Sequence, residues 1–191
     1  MITDTLLLES LTKFFQNEHY RQELLSIVDG TKGISLRSID WFITNYSKKN
    51  NIYYMIYKGQ NDISTFEEKN TRFSSNMNVH HSYKSQLKAY SKKRFDPFCR
   101  RDRILFSLGS EGEIETTVGQ LNFFRWALQN LIIEYIIENK NPIEDDMNEC
   151  LRIIKDKSNK KTGSRKQREE LSLSATRGLS RNNMTVLVSF D

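Results

Sequence analysis

Apolar residues recur at three- and four-residue spacing near the start of the chain, where Leu7, Leu8, Leu11, Phe14 and Phe15 define one helical face. Thr3 or Asp4 can cap the start and Asp29-Gly30 can end it, so the pattern predicts one helix from Thr3 to about Val28, or two if it breaks near Asn17. A second helical face follows Ser35, with Leu36, Ile39, Phe42, Ile43 and Tyr46. It runs into Ser47-Lys48-Lys49, where cations would meet the negative end of the helix dipole. Ile52 to Tyr57 is short, aromatic and β-branched and reads as a buried strand, Gly59 to Asn70 as a polar connection, and Phe73 to Tyr83 as the partner strand. From Lys84 to Tyr90 the pattern turns helical, but Asp96-Pro97 bars a helix from continuing, because the residue before proline is pushed towards extended geometry.

Ile104 to Leu108 and Glu113 to Val118, joined by a loop from Gly109 to Gly112, predict a β-hairpin. Thr117 followed three residues later by Gln120 is a capping-box pattern. It precedes the clearest amphipathic stripe in the chain: Leu121, Phe124, Leu128, Leu131, Ile132, Tyr135 and Ile136. Pro142 can open a further helix, with Met147, Cys150, Leu151 and Ile154 on one face. Beyond Lys155 the apolar positions give way to SNKKTGSRKQREE, and Met184 to Phe190 reads as a returning strand. These elements predict an α+β fold: a small antiparallel sheet packed by three to four helices over residues 1–155, a basic linker or arm over 156–183, and a terminal strand over 184–191 that returns to the sheet or pairs with a partner.

Composition changes this picture only through charge. The 191 residues carry a net charge of +5, yet eight cations against two carboxylates fall between Lys84 and Arg103, and nine against three between Lys155 and Arg181. The rest of the chain is therefore acidic, and such a polarised field orients a protein on a phosphate backbone or on an acidic protein surface. Two cysteines, Cys99 and Cys150, are too few for a disulfide framework or a four-ligand zinc site. No apolar run approaches the roughly 18 residues of a membrane span, and the N-terminus lacks the positive region of a signal peptide, so a protein that is not secreted is expected.

In the central segment Lys84, Lys88, Lys92, Lys93, Arg94, Arg100, Arg101 and Arg103 are interleaved with Tyr83, Tyr90, Phe95 and Phe98. Cations that hold phosphates and rings that stack on bases are what single-strand grooves use, and Tyr90 and Phe98 are the stacking candidates. On a helix, Lys84, Lys88 and Lys92 would share one face. In the arm, Lys160, Lys161, Arg165, Lys166 and Arg168 form a short basic cluster that either contacts nucleic acid or is solvated. The competing reading of all these charges is an ordinary solvated surface, with the rings in the core. His80-His81 on a strand would point to opposite faces and make no metal site. Glu67-Glu68-Lys69 matches half of a nuclease pattern, but in a polar loop where that pattern requires a strand. Glu111, Glu113 and Glu115 read as the exposed side of the hairpin, and Trp41 and Trp126 as core. No cofactor and no catalytic residue is expected.

Four segments, SLRSIDWFITNYSKKNN, KSQLKAYSKKRFDPFCRRDRI, TTVGQLNFFRWALQN and LSLSATRG with TVLVSFD, resemble a protein family of giant, nucleocytoplasmic large DNA viruses of the mimivirus kind. The resemblance brings no functional residue with it. It implies a viral protein of the host cytoplasm or virus factory, associated with genome, transcription or virion. The expectation is thus a non-enzymatic basic protein that binds nucleic acid. The alternatives are a minor capsid protein whose basic arm threads along the acidic surface of a viral assembly, and a metal-dependent nuclease.

Overall fold

The computed structural model describes residues 4–59, 62–68, 71–100, 102–159 and 180–181. The first apolar stripe forms two helices, α1 (Asp4–Phe15) and α2 (Glu18–Val28), because the Asn17 side chain accepts a 3.0 Å hydrogen bond from His19 N and starts a new helix there. Ser35 caps α3 (Leu36–Trp41) in the same way through Ser38 N. The rod continues through a π-helical turn at Phe42–Tyr46 into a last turn, α4 (Ser47–Lys49).

Strand β1 (Tyr53–Lys58) pairs antiparallel with β2 (Ser64–Thr65) on one side and β3 (Phe73–Asn78) on the other. The partner strand expected to reach Tyr83 stops at Asn78. The Asn78 side chain accepts from His81 N at 3.0 Å, and from Val79 onward the chain is helix α5 (Val79–Arg94). His80 and His81 therefore open a helix and are not strand residues.

Strands β4 (Arg103–Ser107) and β5 (Glu113–Thr117) form the expected hairpin, and the two-residue strand β6 (Ser180–Arg181) adds antiparallel to β5. The α+β class is as the sequence predicts, with the strands divided between two small antiparallel sheets. The strand expected over 184–191 lies outside the described residues.

Thr117 caps α6 (Val118–Gln129) through Gln120 N at 3.0 Å, but the reciprocal half of a capping box is absent. The buried Gln120 side chain instead donates to Pro97 O at 2.8 Å and accepts from Thr116 Oγ1 at 2.9 Å. The long stripe after Thr117 is also two helices, since Leu131 takes a left-handed φ of 53° between α6 and α7 (Ile132–Glu138). Helix α8 (Lys140–Asn159) follows, with Pro142 in its first turn, where a missing amide proton costs nothing.

Helix α6 is the hub. Leu121, Phe123, Phe124, Trp126, Ala127 and Leu128 are all buried, so apolar groups surround the helix almost completely and α1, α2 and α5 pack against it. The end of α5 is fastened to its first turns. Phe95, 1% exposed, lies 5.3 Å from the Phe123 ring and 5.5 Å from Trp126, centroid to centroid, a burial that contributes about 1.5–3 kcal/mol. Asn122 Nδ2 donates to Arg94 O at 2.9 Å, and at the other end of α5 Trp126 Nε1 donates to Ser82 Oγ at 2.9 Å. Gly119 makes this approach possible, because a Cβ there would stand 2.8 Å from Lys93 O.

Candidate nucleic-acid interface

Helix α5 carries the first half of the basic centre. Lys84 and Lys88 stand one turn apart on its exposed side. The stripe expected to continue to Lys92 is broken, since Ser91 has φ 60° and ψ 167°, a kink after which Lys92, Lys93 and Arg94 make a separate turn. Lys92 and Lys93 are exposed and Arg94 is half-buried.

The protein's own carboxylates neutralise much of the segment. Arg94 Nε pairs with Asp4 at the start of α1, Lys93 Nζ lies 3.7 Å from Asp102, Arg100 Nε 3.6 Å from Asp96, and Arg103 Nη1 3.3 Å from Glu115 across the β4–β5 pair. Lys84, Lys88 and Lys92 have no ion pair among the described residues. Burial raises the pKa of the Asp96 carboxyl, while the Phe98 amide, Arg100 and Lys92 oppose that rise.

Of the two stacking candidates, one is misplaced. Phe98 is 2% exposed and the Arg100 guanidinium carbon lies 4.5 Å from its ring centroid, a cation–π contact that closes the ring off from any base. Tyr90 is half-buried and stacks on no other ring among the described residues. Tyr83 and Phe95 are core, as is Trp126; Trp41 is half-buried and donates through Nε1 to Asp146 at 3.0 Å. Arg101 and the arm cations Lys160, Lys161, Arg165, Lys166 and Arg168 lie outside the described residues.

Tyr90 lines a cleft of about 520 Å³ that the sequence reading did not anticipate. Its floor is α6, through Asn122, Arg125, Trp126 and Gln129; α1 supplies one wall through Ser10 and Lys13, and α5 the other through Gln86 and Tyr90. Arg125 is the sole charged residue of α6 and is half-buried. Its guanidinium donates to Ser10 Oγ at 3.0 Å (Nη1) and to Asn122 Oδ1 at 2.7 Å (Nη2), and no carboxylate pairs with it among the described residues. A planar fork fixed by two neutral acceptors keeps its charge and its remaining donors for an incoming anion. The side-chain amides of Gln86 and Gln129 make no hydrogen bond among the described residues. The sequence reading passed over Arg125; its signal is a lone arginine inside the otherwise uncharged run VGQLNFFRWALQ.

Other candidate sites gain little. Among the described residues no group of three or more His, Cys, Asp or Glu side chains could hold a metal, and no helix is long and apolar enough to cross a membrane. Glu67 and Glu68 are exposed in the bend after β2. Glu111 sits in the hairpin's 3₁₀ turn, where it accepts from Gln22, while Glu113 and Glu115 are on β5.

Helix α5 thus carries exposed lysines on one side and borders the cleft with the other, on an α+β frame. Residues 3–189 match the model of a family described as a family of unknown function, DUF7197, and the chain belongs to that family. It is also 39% identical over 172 residues to "Uncharacterized protein L507" of Acanthamoeba polyphaga mimivirus, an alignment covering 87% of this chain and 60% of the relative. The resemblance to a giant-virus family is thereby established, and the chain spans about 60% of the length of the curated relative it matches. No solved structure matches it.

Proposed function

We propose that the chain binds nucleic acid through the phosphate backbone, with Lys84, Lys88 and Lys92 as the principal contacts. The observation that carries this reading is the contrast within one segment: these three lysines are exposed and have no ion pair among the described residues, whereas Lys93, Arg94, Arg100 and Arg103 each face a carboxylate of the same chain. A cation already paired neutralises little phosphate, and an unpaired one releases the counterions that drive association. Viral ancestry supports a place near viral nucleic acid, in the host cytoplasm or virus factory.

The test is binding of mixed-sequence DNA and RNA by the full chain at two salt concentrations. Affinity should fall about tenfold or more between 50 and 200 mM salt, as expected for a few neutralised phosphates. Reversal at Lys84→Glu with Lys88→Glu should cut it further, and Arg100→Gln with Arg103→Gln should change it less. Salt-independent binding, or none at low salt, would refute the reading.

A further inference from the structure

We infer that the nucleic acid is single-stranded and that one of its unpaired nucleotides enters the cleft between α1, α5 and α6, its phosphate on Arg125 and its base against Tyr90. This rests on the nucleic-acid reading above and adds to it what the partner is and where it is gripped.

Three independent features of the cleft agree. Its size, about 520 Å³, falls within the roughly 300–1,000 Å³ of small-molecule sites, which is room for a mononucleotide. Its chemistry is that of a nucleotide site: an arginine fork with no carboxylate partner among the described residues, Lys13 exposed on the rim, and a tyrosine ring with no ring partner. The amides of Gln86 and Gln129, with no hydrogen bond among the described residues, offer donors and acceptors to a base edge, which no simple phosphate would need.

The position of the cleft relative to the lysines supplies the third feature. With about 3.6 residues per helical turn, Gln86 and Tyr90 lie about 200° from Lys84 and Lys88 around the exposed side of α5. On the exposed side between them stand Ser85 and Ala89, both small. A flexible single strand held by the lysines can pass over that low ridge and turn a base into the cleft. A stiff duplex on the outer face of α5 reaches the lysines alone.

The experiment is fluorescence anisotropy with the full chain, a labelled 12-nucleotide poly-dT strand, its poly-rU counterpart and a duplex of equal length. Wild type should bind the single strands about tenfold tighter than the duplex, within what one stacked base contributes. Tyr90→Leu and Arg125→Gln should each remove most of that preference and leave duplex binding unchanged, while Tyr90→Phe, which keeps the ring, should retain it. Thermal unfolding of the same variants verifies that they fold, and Arg125→Gln carries the test if Tyr90→Leu does not fold. Equal affinity for single strand and duplex, or wild-type selectivity in both cleft variants, overturns this inference and leaves the lysine contacts standing. Failure to bind any of the three probes removes the nucleic-acid reading itself.

Discussion

Asn122 and Arg125 are joined by a 2.7 Å hydrogen bond from the guanidinium Nη2 to the carboxamide Oδ1, and the same carboxamide donates to Arg94 O at 2.9 Å. One buried side chain thus fixes both the end of the basic helix and the arginine of the cleft. Asn122→Ala would leave Arg94 O without its donor in a protein interior and free the arginine. A loss of about 1–3 kcal/mol in urea unfolding is expected, with weaker single-strand binding.

Gly119 sets two effects against each other. Alanine is the better helix former by about 0.8–1.0 kcal/mol, so propensity alone would stabilise Gly119→Ala. A Cβ 2.8 Å from Lys93 O forces backbone apart, and that overpacking costs about 1–3 kcal/mol. The clash should win, and chemical denaturation should show Gly119→Ala less stable than wild type. A gain in stability would mean that α5 can move off α6 freely.

Glu134 gives a pH dependence. Burial pushes its carboxyl above the usual range, with Glu23 adding to the rise, and its Oε2 is buried without a hydrogen-bond partner among the described residues. A carboxyl whose folded pKa is raised binds protons more tightly in the folded state, so its contribution falls as pH climbs from about 4.5, the ordinary value, through the raised one. Glu134→Gln, which removes the charge, should therefore gain stability relative to wild type at pH 7, by about 1 kcal/mol, and lose that advantage near pH 4. Melting temperatures at the two pH values decide it.

Asp146 works in the opposite sense. Burial would raise its carboxyl, but the hydrogen bonds from Lys49 and Trp41 outweigh that and hold it below the usual range. Its contribution is present above the ordinary carboxylate pKa and disappears as pH falls through the depressed value. Trp41→Phe should cost about 1 kcal/mol at neutral pH, and less in acid, by the same melting assay.

Much of the frame was legible because its signals are local. Asn17 and Ser35 cap helices as their side chains suggest, and the Gly109 to Gly112 loop closes the hairpin. Asn78 was an equally local cap that the β-like run from Phe73 obscured. The break at Leu131 was not legible, since leucine disfavours a φ of 53° and the apolar period passes unbroken across it. The candidate site divides in the same way. Lys84 and Lys88 could be read from spacing, whereas the loss of Arg94 to Asp4 and Arg103 to Glu115 depends on tertiary contacts that no spacing reveals. Phe98 looked like Tyr90 in sequence, and only packing separates the buried ring from the accessible one.

The most direct measurement is the slope of log affinity for a single-stranded oligonucleotide against log salt, in wild type and in the triple variant Lys84→Gln, Lys88→Gln, Lys92→Gln. Each phosphate contact on a single strand contributes about 0.7 to the slope, so the variant should be shallower by about 2 and bind more weakly at low salt. An unchanged slope and affinity would contradict the account.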